Sequence, residues 1–292
     1  MDWRQFTMNL ESLEAELVEQ LFTRHGAHSI TFSDAADTPV LEPAPGETPL
    51  WPQTKVTGLF SADADLRALR EDLLQSLKLD ELPPSKVEAL EERAWEREWL
   101  REFKPMAFGD RLWVSPHGMG VTDENAVVVW LDPGLAFGTG THETTALCLE
   151  WLDGLDLAGK RVLDVGCGSG ILSIAALKLG AASADGIDID RQAITASRQN
   201  AIDNGVSEQL RLSTDPAEFN GEYALVIANI LAGTLIEMAA ELSKRTMHGG
   251  SLALSGILSE QVADVTAAFV DWITFDVPAE RNNWARLTGT KH

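Results

Sequence analysis

Apolar and polar residues along this chain alternate between two periods, one of about two residues and one of three to four. The switch between them marks out strands and helices in turn. Residues 3–10 alternate apolar and polar. Leu13, Leu17, Val18, Leu21 and Phe22 then fall on one face of a helix over 12–24, and 29–32 returns to a strand pattern. Ser12 stands where a side-chain oxygen can cap that helix, with Glu14 and Glu16 near its positive end. A loop rich in proline and acid follows over 34–52. A second round comes next: a strand over 55–61, a helix over 63–77 and a weaker strand over 86–90. The order βαββαβ predicts a four-stranded antiparallel sheet with two helices on one face.

Trp95, Trp99 and Phe103 lie about a helical turn apart and predict a connector helix whose aromatic stripe packs against a domain. From Pro105 the pattern is that of a larger unit. Strand-like runs at 111–114 and 126–131 precede a glycine-rich stretch from Asp132 to Thr145 that opens a helix over 146–152. Seven strands are then expected at 162–165, 184–189, 209–213, 223–228, 251–255, 272–277 and 284–288. Helices at 171–179, 192–204, 233–245 and 259–271 separate all but two pairs of them. Strand–helix alternation predicts a mostly parallel sheet with crossovers, and the last two strands predict a hairpin at one edge. The predicted fold class is therefore α/β. A seven-stranded Rossmann-like domain over 105–292 follows a small ferredoxin-like α+β domain over 1–92 and a helical linker over 93–104.

Composition narrows the setting. At 292 residues and 45% hydrophobic content the chain has ample core for two ordinary domains. A formal net charge of −22 argues against a nucleic-acid surface, which needs clustered Lys and Arg, and suits a basic partner protein. Residues 1–60 hold nine acids against three bases, in the same sense. Cys148 and Cys167 lack metal or disulfide spacing, so no metal site is expected. The N-terminus shows no signal pattern and no run of eighteen apolar residues occurs, which leads us to expect a soluble, cytoplasmic protein without membrane contact.

The stretch 161–190 carries the clearest chemistry. A short apolar run containing Asp164 enters a turn with Gly166, Gly168 and Gly170, then a helix, and the next strand ends at Asp188. Glycines there allow a tight turn with positive φ and a close ligand approach. A carboxylate at the end of the second strand can accept two hydrogen bonds from a ribose diol. The spacing is not the Gly-x-Gly-x-x-Gly of a dinucleotide site, and Asp164 repels a pyrophosphate. S-adenosylmethionine has no phosphate and carries an ammonium and a sulfonium. It suits a site where Asp164 faces the amino acid end, directly or through water, and Asp188 holds the ribose. Cys167 is read as a small residue that fits the turn. Ile189 is placed to pack on the adenine or in the core.

These residues form the motifs of a known family. Leu131–His142, Asp164–Leu172, Gly186–Asp190 and Ala228–Gly233 resemble the ribosomal protein L-eleven methyltransferase (PrmA) family of class I enzymes, and the likeness extends to Trp95–Trp99. It implies transfer of methyl groups from S-adenosylmethionine to lysine side-chain amines and the N-terminal α-amine of that ribosomal protein. It further implies a first domain that recognises the substrate and a linker that lets it move. By motif match, Thr145, Gly166, Asp188 and Asn229 would bind the cofactor. The alternative is a class I methyltransferase acting on another protein, a small amine or RNA. One departure is Glu143, an added acid where many relatives have proline.

The remaining site residues follow from position. Phe137, Gly138, Thr139, Gly140 and Thr141 can fold over the cofactor, Phe137 covering its methionine end, and the Thr145 hydroxyl can reach its carboxylate or bond its own backbone. Asn229-Ile230-Leu231 stands where amine methyltransferases often carry Asn/Asp-Pro-Pro-Tyr/Phe, whose carbonyl oxygens orient the acceptor. The prolines are absent, which fits a flexible alkyl amine turned between rounds. Asn229 and Leu231 are thus the acceptor-facing candidates. His142 is a candidate proton acceptor or a structural residue of the loop.

Overall fold

The computed structural model describes residues 3–11, 13–35, 53–90, 104–132 and 140–292. Two compact units emerge, residues 1–98 and 99–292. The proposed linker, with its Trp95–Phe103 stripe, lies almost wholly outside the described residues, as do Ser12, Phe137, Gly138 and Thr139.

In the first unit, β1 (Trp3–Asn9), α1 (Ala15–Arg24), β2 (Ser29–Asp34), β3 (Thr54–Ser61), α2 (Leu66–Leu77) and β4 (Ser85–Leu90) follow the expected βαββαβ order. The sheet runs β2-β3-β1-β4 with every pairing antiparallel. Alternation in β1 turns Phe6 and Met8 inward to join Val18, Leu21 and Phe22 of α1 and Leu69 and Leu73 of α2 in one buried cluster. α1 starts at Ala15 with Glu14 at its cap and no side-chain cap bond. α2 is capped by Asp65, whose carboxylate accepts from the backbone N–H groups of Arg67 and Ala68.

The second unit opens with a three-stranded sheet of β5 (Met106–Phe108), β6 (Leu112–Ser115) and β7 (Val127–Trp130). Asn204 closes the outer edge of β7: its side-chain amide accepts from Trp130 N–H at 2.8 Å and donates to Trp130 O at 2.7 Å. The large sheet runs β10 (Leu210–Ser213), β9 (Ser183–Ile187), β8 (Arg161–Val165), β11 (Tyr223–Asn229), β12 (Thr246–Leu258), β15 (Trp284–Lys291), β13 (Ile273–Phe275), with β14 (Ala279–Arg281) also on β15. The first five strands pair in parallel and the last three antiparallel. The sheet therefore has eight strands rather than seven, because the hairpin connection adds β14.

Both faces are covered, so the central strands are largely apolar on both sides. In β11, Leu225 and Ile227 face one core with α3 (Glu143–Asp153), α4 (Ile171–Lys178) and α5 (Arg191–Asp203). Val226 and Ala228 face the other with α6 (Ala232–Glu237), α7 (Ala239–Arg245) and α8 (Val262–Phe269). The helix expected over 233–245 is thus two helices broken at Met238, whose ψ of 3° leaves the helical range. Among the described residues, no helix is long and apolar enough to cross a membrane, and no cluster of three or more metal-binding side chains occurs.

Candidate active site

The parallel strands end at one edge, and the site is built there. β8 leads into Gly166, Gly168 and Gly170, whose φ values of 74°, 55° and 79° are left-handed. A Cβ on Gly166 would collide with the Ile230 side chain, so glycine is required there by contact as well as by conformation. The turn is tied to the neighbouring strand. Gly166 and Cys167 N–H both donate to Ile187 O, at 2.8 and 3.0 Å.

Asp188 completes this corner. One carboxylate oxygen accepts from Gly168 N–H and the other from Asp190 N–H, each at 2.9 Å. Those bonds fix the carboxylate plane and leave each oxygen further acceptor capacity, as a diol needs. The next residue, Ile189, is 94% exposed, so a core role is excluded and an apolar platform stands beside the acid.

Asp164 lies behind the turn, fully buried. One oxygen accepts from Ser173 N–H at 3.1 Å and from Ser173 Oγ at 2.7 Å, while Oδ1 has no hydrogen-bond partner. Burial pushes its carboxyl up to about 6; the Ser173 hydroxyl and backbone bonds pull it down, and the Asp188 charge adds to burial. It lines neither cavity of the site, so a direct contact with the amino acid end is not offered and its influence passes through the turn. Burial likewise raises the Cys167 thiol, which suits a space-filling residue better than a nucleophile.

Two cavities meet over Gly166, Gly168 and the segment Asn229-Ile230-Leu231. The first, of about 330 Å³, is also lined by His142, Thr144, Thr145, Gly256 and Trp284. The second, of about 400 Å³, runs past Asp188 and Ile189 to α6 and α7. Asn229 sits at the junction, and its side-chain amide donates to Thr145 Oγ1 at 3.3 Å, joining two of the anticipated residues. Leu231 is 59% exposed at the rim.

His142 occupies the N-cap of α3. Its Nδ1 lies 2.8 Å from Thr144 Oγ1 and accepts weakly from Thr144 N–H, and its ring stands edge-on to Trp284 at 4.8 Å. Glu143, at the first helical position, turns to Asn282 Nδ2 at 3.1 Å, and that bond is the main reason its carboxyl is held below the usual range. Gly140 is buried with φ 86°, next to Ile171 of α4 and Phe108 of β5, while Thr141 is exposed. Trp284, Thr144 and Gly256 were not anticipated. Trp284 and Thr144 belong to no recognisable spacing; Gly256 carried one signal, a lone glycine in an apolar strand, which marks a bulge or close approach.

Comparison with known proteins decides the family. Residues 2–292 match the family model described as "Ribosomal protein L11 methyltransferase (PrmA)". The chain belongs to the ribosomal protein L11 methyltransferase family. Proteins of that name from Klebsiella pneumoniae subsp. pneumoniae and Salmonella arizonae are 53% identical over 295 residues and 52% identical over 292, with all of both chains covered. A crystal structure titled ribosomal protein L11 methylase, from Lactobacillus delbrueckii subsp. bulgaricus, is 31% identical with a TM-score of 0.60. The match covers 65% of this chain and 100% of that one.

As a member of this family the protein is an S-adenosylmethionine-dependent protein methyltransferase. The residues present fit that cofactor: a positive-φ glycine turn in which a Cβ at Gly166 would collide with Ile230, an acid fixed at a strand end with acceptor capacity to spare, and an exposed apolar platform beside it. When bound, the cofactor supplies an electrophilic methyl carbon on a sulfonium.

Proposed function

We propose that this protein methylates lysine side-chain amines and the N-terminal α-amine of ribosomal protein L11, in the cytoplasm where that basic substrate is made. The observation that carries the reading is the junction at Asn229, where the amide bonded to Thr145 joins the cavity holding Asp188 to the one walled by His142 and Trp284. In this reading Asp188, Ile189, Gly166, Gly168, Thr145 and the 137–141 loop hold the donor, with Asp164 acting through the turn. Asn229 and the Leu231 carbonyl direct the amine lone pair.

Such a reaction needs alignment more than acid–base catalysis, since the leaving group is good and rate comes from holding nucleophile and methyl near 3 Å and in line. The amine must arrive neutral. For a lysine of pKa about 10.4 at pH 7 that costs about 4–5 kcal/mol, against about 1.4 for an α-amine near 8. Desolvation in an apolar cavity beside a cationic donor lowers both. His142, engaged as a helix cap through Nδ1, is assigned a structural part.

The first domain is assigned substrate recognition. The family relation, the excess of acids over its early length and the basic character expected of the substrate support that role. Radiolabelled S-adenosylmethionine with purified ribosomal proteins tests the reading: label on L11 alone is expected, and label on RNA or none rejects it. Removing residues 1–92 should spare donor binding and abolish L11 methylation; normal activity would refute the recognition role.

A further inference from the structure

The acceptor segment 229–231 lacks the two prolines that stiffen the corresponding motif elsewhere, so its shape must be imposed from outside. We propose that a bulge at Ser255–Gly256 of β12 imposes it, and that Gly256 is a positioning residue for the methyl acceptor. The inference rests on the function assigned above.

Several independent contacts converge on this bulge. The antiparallel register of β12 and β15 shifts between Leu254 and Ile257, and Gly256 within the shift has a φ of 81°. On the other side of β12, Asn229 of β11 pairs with Ser255, and Ile230 N–H donates to Ser255 O at 3.1 Å. A Cβ on Gly256 would lie 2.8 Å from the Ile230 carbonyl carbon and closer still to its oxygen, and these are backbone atoms that no rotamer change can move. The Ile230 side chain meanwhile fills the space over Gly166. Ile230 is thus gripped between two left-handed glycines, one under its side chain and one against its peptide.

The bulge also registers the wall of the cavity formed by His142 and Trp284. The buried Ser255 Oγ lies 3.3 Å from Thr144 O, in the first turn of α3, and 3.2 Å from Ala285 O, the neighbour of Trp284. One hydroxyl therefore spans the cap that carries His142 and Thr145 and the strand that carries the aromatic wall. Gly256 itself lines the cavity. The competing explanation is that glycine merely relieves backbone strain in a bulge.

Gly249 separates the two explanations. It lies on the same strand with a φ of 72°, but a Cβ there meets nothing within 4 Å. Alanine at either position incurs the left-handed penalty; at Gly256 alone it must also push the Ile230 peptide back until contacts reach at least 3.0 Å.

The test compares Gly256→Ala with Gly249→Ala in the full chain. It reads melting temperature, calorimetric affinity for S-adenosylhomocysteine, steady-state methylation of L11 and the product masses. Both variants should keep product affinity within about threefold. Gly256→Ala alone should lose about 100-fold in kcat with little change in KM, the effect of misplacing reacting groups by about 1 Å. Its products should shift toward mono- and dimethylated amines, since realignment fails in later rounds. A kcat within about threefold of that of Gly249→Ala overturns the proposal, as does a loss of product affinity in proportion to the loss of kcat. Should Gly256→Ala not fold, Ser255→Ala decides: it should lower kcat about tenfold at unchanged product affinity, and an unchanged kcat overturns the proposal. An unaltered protein that leaves L11 unlabelled rejects the assigned function; an active one with an indifferent Gly256→Ala rejects the positioning role alone.

Discussion

The two halves of the site are built in opposite ways. Most of the proposed donor half, from Asp164 to Asp190, is one continuous stretch of strand, turn, helix and strand, and its parts are held by bonds among themselves. The acceptor half is gathered from His142, Asn229–Leu231, Ser255–Gly256 and Trp284, which meet only when α3, β11, β12 and β15 are packed, with Thr145 of α3 bonded across from the donor side to Asn229. A continuous site survives as a spacing pattern, whereas a gathered one depends on the whole sheet. The first should fail in binding and the second in alignment.

The largest expected effect is on the donor half. Asp188→Ala removes a carboxylate that anchors the Gly168 and Asp190 N–H groups and, in the proposed reading, the acceptor for the ribose. Calorimetry should show donor affinity falling by about 100-fold or more. An undiminished affinity would break the comparison. Asn229→Ala should strike the other half, with kcat falling by about 100-fold and donor affinity by much less; equal losses in steady-state and binding measurements would merge the two halves into one.

Acidity gives a third expectation. Asp164 is held up to about 6 by burial, above its ordinary 3.8, so the folded chain binds its proton more tightly than the unfolded chain does. The ligand-free protein should therefore lose stability as pH rises from about 4 to about 6, by up to about 3 kcal/mol from this group. Urea titrations across that window should show the slope, and Asp164→Asn should flatten it. A slope unchanged by that substitution would show that the buried acid is not strained. Smallest of all, Leu231→Ala at the exposed rim should move stability by no more than about 0.5 kcal/mol while raising KM for L11; an unchanged KM would remove its side chain from substrate contact.

Legibility followed the same division. The donor half was readable because Gly166, Gly168, Gly170 and Asp188 answer local demands: positive φ, close approach, and a strand end. Trp284 answers no local demand; it matters because β15 inserts between β12 and β13, a choice made by the whole sheet. Leu235, Ala239 and Leu242 keep burying one continuous face through the break at Met238, so hydrophobic period is blind to it. β5 and β14 are three residues each, too short for alternation to register. Of the residues read as folding over the cofactor, Phe137 to Thr141, the first three fall outside what the structure describes.

The Asn204 fork on Trp130 has a consequence of a different sort. A strand at the border of a sheet displays unsatisfied peptide groups that can recruit a strand from another molecule. Here a side-chain amide imitates a passing strand for a single residue and occupies both of those groups. The border is thereby blocked at Trp130 by one asparagine, and a chain deprived of it would be expected to stick to its own copies before it lost any catalytic power.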